Sequence, residues 1–151
     1  RLDKLDRGDY DAIILAAAGL IRLGLTHRIA SYLDPRSFIP AIGQAAIGVE
    51  CRENDTPCRD LLSRLNHPTT AHCIAAERAV NQVLGGDCYT PLAAHAVINN
   101  NQLHLHGMVG SLTQPTRINS QVSGAIDRAR ELGKALAQDL LDNGAAPLLK
   151  S

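Results

Sequence analysis

One cysteine, a pair of alternating histidines and a few arginines are the side chains here best suited to chemistry. Cys88 stands in Gly85-Gly86-Asp87-Cys88-Tyr89-Thr90-Pro91, between a run with helical periodicity and a run with strand periodicity. Glycines before it and a proline after it put a soft nucleophile on a loop, where rigid neighbours hold reactive groups in place. A thiolate attacks soft electrophilic carbon and is available near neutral pH. By position alone the plainest reading is a small free thiol. The other cysteines, Cys51, Cys58 and Cys73, make no CxxC pair, so zinc-ribbon and thioredoxin-like readings fail. Cys58 and Cys73 fall on apolar helix faces and Cys51 ends an apolar run, so all three read as core or near-core thiols. A thiol-based redox protein is disfavoured, because no resolving cysteine lies near Cys88. His104-x-His106 sets two imidazoles on one strand face, near His95, a spacing that zinc uses. Strands with one polar face alternate this way routinely and no third ligand is evident, so no metal is expected.

The bulk numbers exclude several classes. Fifteen basic and fifteen acidic residues in a chain of 151 leave no excess that would favour nucleic acid or disorder. Aromatic residues make up 3%, too few for a base-stacking platform. No apolar stretch is long enough to span a bilayer and no secretory signal opens the chain, so a soluble, reducing, cytoplasmic setting is expected. Arg1-Leu2-Asp3-Lys4-Leu5 enters directly into patterned sequence without an initiator Met, as a piece cut from something larger would.

The elements that must position these groups follow from periodicity. Arg1 to Arg7 reads as a short helix stopped by Gly8. Ala12 to Ala18 and Ala45 to Cys51 are apolar runs that suit strands buried on both faces of a parallel sheet. Leu20 to Leu25 and Arg28 to Leu33 read as short helical pieces, and Phe38 to Gln44 as a crossing segment. Asp55 to Leu65 reads as a helix with Cys58, Leu61, Leu62 and Leu65 on one face. Asn66-His67-Pro68 marks a boundary. Thr69 or Thr70 is placed to cap a helix running to Leu84, closed by Gly85-Gly86. Its apolar stripe is Cys73, Ala76, Val80, Val83 and Leu84.

The period then changes to two. Leu92 to Ile98 reads as a strand, Asn99-Asn100-Asn101 as a turn, and Leu103, Leu105, Gly107 and Val109 as the inward face of a second strand. Ile118, Ser120 and Val122 mark a third. A helix from Gly124 to Asn143 follows, with Ile126, Ala129, Leu132, Leu136 and Leu140 inward and Gly144 as its stop. The chain therefore reads as an α/β segment over residues 1–66 and an α+β domain over 67–151, the latter with a three-stranded antiparallel sheet and helices.

Around the loop, Glu77-Arg78, Leu84, Gly86, Cys88, Thr90, Pro91, Leu92 and Ala93 resemble the cofactor-attachment motif of the porphobilinogen deaminase (hydroxymethylbilane synthase) family. One position departs: Asp87 stands where the family usually has a small residue, and its carboxylate would raise the pKa of the neighbouring thiol. Asp9 to Ala16, Ala18-Gly19-Leu20 and Arg22-Leu23-Gly24 are similar to the family's central segment. Ile39 to Gln44 and Ile47 to Arg52 are similar to its second signature, and Leu65-Asn66-His67 to the stretch before its terminal domain. The resemblance runs the length of the chain in order.

That resemblance implies a transferase of heme and tetrapyrrole biosynthesis. Family enzymes join four porphobilinogen molecules head to tail into hydroxymethylbilane, releasing ammonia at each step, on a dipyrromethane primer. The primer is held by a thioether to the motif cysteine, here Cys88. Thioethers resist hydrolysis, so the anchor survives each turnover. Each pyrrole carries an acetate and a propionate, and by the resemblance Arg1 and Arg22 match arginines that bind such carboxylates. Gly19 supplies backbone near Arg22, and Gln44 matches a residue of the crossover near the cleft. The plain readings of Arg22 and Gln44 are a solvated helix charge and a backbone cap.

The fold implied for residues 1–66 is parts of two doubly wound domains, like those of periplasmic binding proteins, with their crossover. The family's catalytic Asp lies in the N-terminal half, and no acidic residue here matches it. The expectations are therefore an inactive 151-residue chain on its own, a missing N-terminal half as partner, and a monomeric full-length enzyme. Neither nucleic acid nor membrane is expected as a partner. The alternative is a non-catalytic binding module that keeps the cysteine loop.

Overall fold

The computed structural model describes residues 1–87 and 89–150. The chain divides into two compact units, Arg1–Leu33 and Asp34–Ser151.

The first unit holds two short helices, α1 (Leu2–Asp6) and α2 (Ala17–Arg22), and a 3-10 turn at Thr26–Arg28. Gly8 takes φ 78°, the left-handed conformation that lets the chain leave α1. Arg28 pairs with Asp6 and so ties the 3-10 turn to the end of α1. No residue of this unit is buried.

The second unit contains α3 (Thr56–Ser63), α4 (Pro68–Leu84), strands β1 (Leu92–Asn99), β2 (Gln102–Gly110) and β3 (Arg117–Ala125), and α5 (Ala129–Asp142). The strands form an antiparallel sheet in the order β1-β2-β3. Two consecutive left-handed residues, Asn100 at φ 49° and Asn101 at φ 59°, make the β1–β2 turn. Asparagine tolerates that conformation, and it matches the strand twist. The register Ile98↔Leu103 and Leu105↔Val122 sets the apolar side chains of neighbouring strands beside each other.

Helices α4 and α5 cover one face of the sheet. Leu103, Leu105, Val109, Val80, Leu136 and Leu140 are fully buried between them. Each such side chain contributes about 1.5–3 kcal/mol through burial. Gly133 lets the helices touch: a Cβ there would stand 2.2 Å from the Ala76 carbonyl oxygen. The other face of the sheet carries His95, His104, His106, Asn119 and Gln121.

Five expectations need correction. Residues 29–33 form no helix. Gly124 and Ala125 close β3, so α5 starts only at Ala129. Residues 12–16 and 46–51 form no strand, and Ala17 and Ala18 open a helix instead. A doubly buried parallel strand needs hydrogen-bonded neighbours and helices over both faces. Among the described residues the one sheet is β1-β2-β3, and neither run joins it. The cap of α4 is His67, whose Nδ1 accepts from the Thr70 amide at 3.3 Å; Thr69 and Thr70 already lie inside the helix. Finally, Cys51 is exposed rather than near a core, and Leu61 on α3 and Leu65 just beyond its end are 64% and 73% exposed. The amphipathic face of α3 is real, but it packs on no core of this unit.

Candidate functional site

Helix α4 delivers the chain to the candidate loop and β1 takes it away. Gly85 ends α4 in the left-handed conformation, φ 67°, and its N–H donates to the Asn81 carbonyl at 2.9 Å. Gly86 then passes so close to its surroundings that a Cβ would lie 2.7 Å from Asn81 Oδ1 and 2.9 Å from Leu92 Cδ2. Only glycine fits there without displacing Leu92.

Asp87 and Thr90 bracket the next turn reciprocally. Asp87 Oδ1 accepts from the Tyr89 amide, the Thr90 amide and the Thr90 hydroxyl, each at 2.9 Å. The Thr90 Oγ1 accepts in return from the Asp87 amide at 3.0 Å. This is the local side chain-to-backbone bonding that Asp and Thr offer turns. The Tyr89 amide first, then the Thr90 hydroxyl and amide, hold the Asp87 carboxyl below its ordinary range. Asp87 is therefore a fixed anion at neutral pH, exposed and committed to the loop. After it, Gly110 donates to the Pro91 carbonyl at 2.8 Å, and the chain enters the sheet. Cys88 itself lies outside the described residues.

Glu77 and Arg78 diverge on α4. Arg78 is exposed, whereas Glu77 is only 4% exposed. The Glu77 carboxylate accepts from the Gly43 amide and from the Ala96 amide, both at 2.8 Å. Charge-assisted bonds of this kind are the strong ones, and burial is tolerable because both oxygens are satisfied. His95 Nδ1 stands 3.7 Å from the same carboxylate. One side chain thus joins α4, β1 and the crossing segment. That segment is tightly turned, with Gly43 at φ 73° and Ala45 at φ 66°, and it presents an exposed Gln44. A left-handed alanine stores strain of about 1–3 kcal/mol, which the surrounding bonds must hold.

The predicted ligands divide between the two units. Arg1, Gly19 and Arg22 belong to the first, and Gln44 and the Asp87–Thr90 bracket to the second. Arg1 precedes α1 and Arg22 sits in the last turn of α2; both are exposed. Among the described residues of their unit, Arg7 and Arg28 carry carboxylate partners, but Arg1 and Arg22 do not. The Gly19 amide donates to the Ala16 carbonyl at 3.1 Å, and beyond its chain neighbours and its own helix backbone nothing lies within 4 Å of where its Cβ would be.

Two of the remaining thiols, Cys51 and Cys73, are held in their protonated form. Burial, followed by the Glu77 charge, pushes the Cys73 thiol up. Desolvation and the neighbouring Cys58 thiol push Cys51 up. Among the described residues, no group of three or more His, Cys, Asp or Glu side chains is placed to hold a metal ion. Sequence reasoning saw Glu77 only as a motif match and missed that it is a clamp. Its amide partners lie 34 and 19 residues away, beyond any local pattern. The Asp87-x-x-Thr90 bracket was legible as turn chemistry and went unread.

Comparison with known proteins adds the following. Residues 1–60 match a family model described as porphobilinogen deaminase, dipyromethane cofactor binding domain. Residues 71–142 match one described as porphobilinogen deaminase, C-terminal domain. Curated proteins named porphobilinogen deaminase from Coxiella burnetii strains CbuG_Q212 and Dugway 5J108-111 are each 53% identical over 150 residues. The match covers 99% of this chain and 49% of each relative. The chain spans about half the length of the curated relatives it matches.

Proposed function

The chain belongs to the porphobilinogen deaminase family, and on that premise we propose that it carries the primer-anchoring part of an enzyme building hydroxymethylbilane from four porphobilinogen molecules. The observation that carries this reading is the loop around Cys88. It is held on one side by Gly86 against Asn81 and Leu92, and on the other by the Asp87–Thr90 bracket.

The donor set suits a dipyrromethane group. Cys88 supplies the sulfur of a thioether, formed as its thiolate adds to an electrophilic pyrrole methylene. Arg1 and Arg22, without carboxylate partners in their unit, offer planar forks to acetate and propionate side chains. Gly19 leaves space beside its backbone for a carboxylate to approach. Gln44 is held in place through the Gly43–Glu77 bond. When bound, the dipyrromethane supplies the free pyrrole carbon at which chain growth begins. The chain's own residues tether, neutralise and orient.

We place the domain division at residue 66, with an α+β cofactor-attachment domain over 67–151. Residues 1–66 belong to two doubly wound domains of periplasmic-binding-protein type. Ile14, Ile47, Val49 and Leu65, all more than half exposed, are then surfaces that the remaining length of the family protein covers. The catalytic carboxylate belongs to that remaining length, the complete enzyme is a monomer, and it works in the cytoplasm. No described helix is long and apolar enough to cross a membrane.

The test is turnover. The chain alone, given porphobilinogen, forms no hydroxymethylbilane; joined to the rest of a family-length protein, it does. Cys88→Ser in the joined protein removes the activity. Full activity of the Cys88→Ser protein would refute the reading.

A further inference from the structure

The open face of the sheet holds a cavity of about 350 Å³. Its walls come from two places: Arg36 and Ile39 of the segment after Asp34, and His106, Met108, Arg117 and Gln121 of β2 and β3. Both places belong to the same unit. Among the described residues, no carboxylate lines the cavity. Arg117 has no ion pair among the described residues. Arg36 meets only the Asp34 carboxylate, at 3.4 Å, and both side chains are at least half exposed. Such an exposed pair is worth little and exchanges readily for a ligand carboxylate. Burial, then His95, His104 and Arg36, keep His106 below its ordinary pKa, which marks the floor as partly dry and its surroundings as cationic. Ile39 and Met108 add apolar surface to the same lining.

Two guanidiniums from different elements and apolar surface in one lining match a small, flat molecule bearing two carboxylate arms. The volume is at the low end for small-molecule sites, about 300–1,000 Å³, enough for one ring with its arms. The cavity also lies at the end of the sheet where the Cys88 loop enters. Pro91, three residues after Cys88, accepts from Gly110, and Gly110 is the register partner of Arg117. With strands about 4.8 Å apart, the Arg117 backbone is about 10 Å across the sheet from Pro91.

We propose that this cavity is a second carboxylate-binding site, in which Arg36 and Arg117 grip the two carboxylates of a single pyrrole unit and Met108 and Ile39 pack against its ring. The inference rests on the tetrapyrrole reading above for the identity of the ligand. It adds to Arg1 and Arg22 a binding pair within the second compact unit, with Arg117 from β3 of the cofactor-attachment domain and Arg36 from the segment before that domain.

The test uses the Cys88→Ser chain, so that binding stays non-covalent, with porphobilinogen as probe. The imidazole resonances of His106 are followed by NMR as ligand is added. A carboxylate arriving beside the ring favours its charged form. The His106 titration midpoint therefore rises on binding, opposing the burial and the neighbouring His95, His104 and Arg36 that hold it down. Arg36→Ala with Arg117→Ala weakens the apparent affinity read at His106 by about tenfold or more, and the paired lysine variants lose less because they keep charge without the fork. His106 lines the cavity itself, and Arg1→Ala with Arg22→Ala leaves its response to porphobilinogen in place if the cavity binds on its own. A His106 signal that ignores porphobilinogen, or an affinity unchanged in the folded double alanine variant, overturns the proposal. Either result leaves the anchor reading standing if wild-type Cys88 carries its adduct. Conversely, binding at His106 with no adduct on Cys88 upholds the site while the anchor reading falls.

Discussion

Residues 1–66 and the stretch from Pro68 onward both carry regular apolar patterns, yet every buried residue lies in the second. Ile14, Ile47 and Leu65 are 65%, 92% and 73% exposed, while Leu103, Leu105 and Leu136 have no exposure at all. The difference teaches that an apolar run specifies burial only when the chain also supplies what covers it. In the second stretch a meander supplies its own neighbours and two helices roof it. In the first, runs suited to a parallel sheet find no edge to join. The anchor loop belongs to the self-sufficient region. The proposed tether needs firm flanks whatever the rest of the molecule does, and α4, Glu77 and β1 fix the residues on either side of it.

The comparison breaks most visibly under truncation of the core. Leu105→Ala is expected to destabilise the second unit by about 2–5 kcal/mol in denaturant unfolding, whereas Ile47→Ala stays within about 0.5 kcal/mol. Equal costs would mean that the first stretch is packed after all. Glu77→Ala is the next largest. It strips an acceptor from the Gly43 and Ala96 amides and is expected to cost about 2–4 kcal/mol. Hydrogen exchange should quicken at both amides, with Glu77→Gln intermediate. Gly133→Ala drives a methyl into the Ala76 carbonyl and is expected to cost about 1–3 kcal/mol, read as a lowered unfolding midpoint.

The smallest effect concerns the loop. The folded Asp87 carboxyl titrates below its ordinary value of 3.8, so its contribution is present above that pH and fades as pH falls through the folded value. Asp87→Asn should remove this acid-dependent component and speed exchange at the Tyr89 and Thr90 amides, leaving the core unchanged. An unaltered acid profile and unaltered exchange would show that the bracket does not hold the loop.

Much of the second region was legible in the sequence. Alternation at Leu103, Leu105 and Val109, the asparagine turn, and glycines at 85 and 144 each rest on local chemistry that tertiary structure did not override. The apolar runs at 12–18 and 45–51 misled because an apolar run does not say whether a strand partner exists. His67 displaced the threonines as cap because an imidazole nitrogen can accept as a hydroxyl oxygen does. Of the site, the loop, its glycines and its cysteine were readable. The Glu77 clamp and the Arg36–Arg117 cavity were not, because each is assembled from residues far apart in the chain.

The central claim is that Cys88, alone among the four cysteines, is the anchor. Trypsin should release residues 79–117 as one peptide, because no Lys or Arg lies between Arg78 and Arg117, and Cys88 is its only cysteine. Mass spectrometry of that peptide, from the family-length protein made with porphobilinogen available, should show the added mass of a dipyrromethane unit. The peptides holding Cys51, Cys58 and Cys73 should be unmodified. An unmodified 79–117 peptide, or the adduct on another cysteine, would contradict the account.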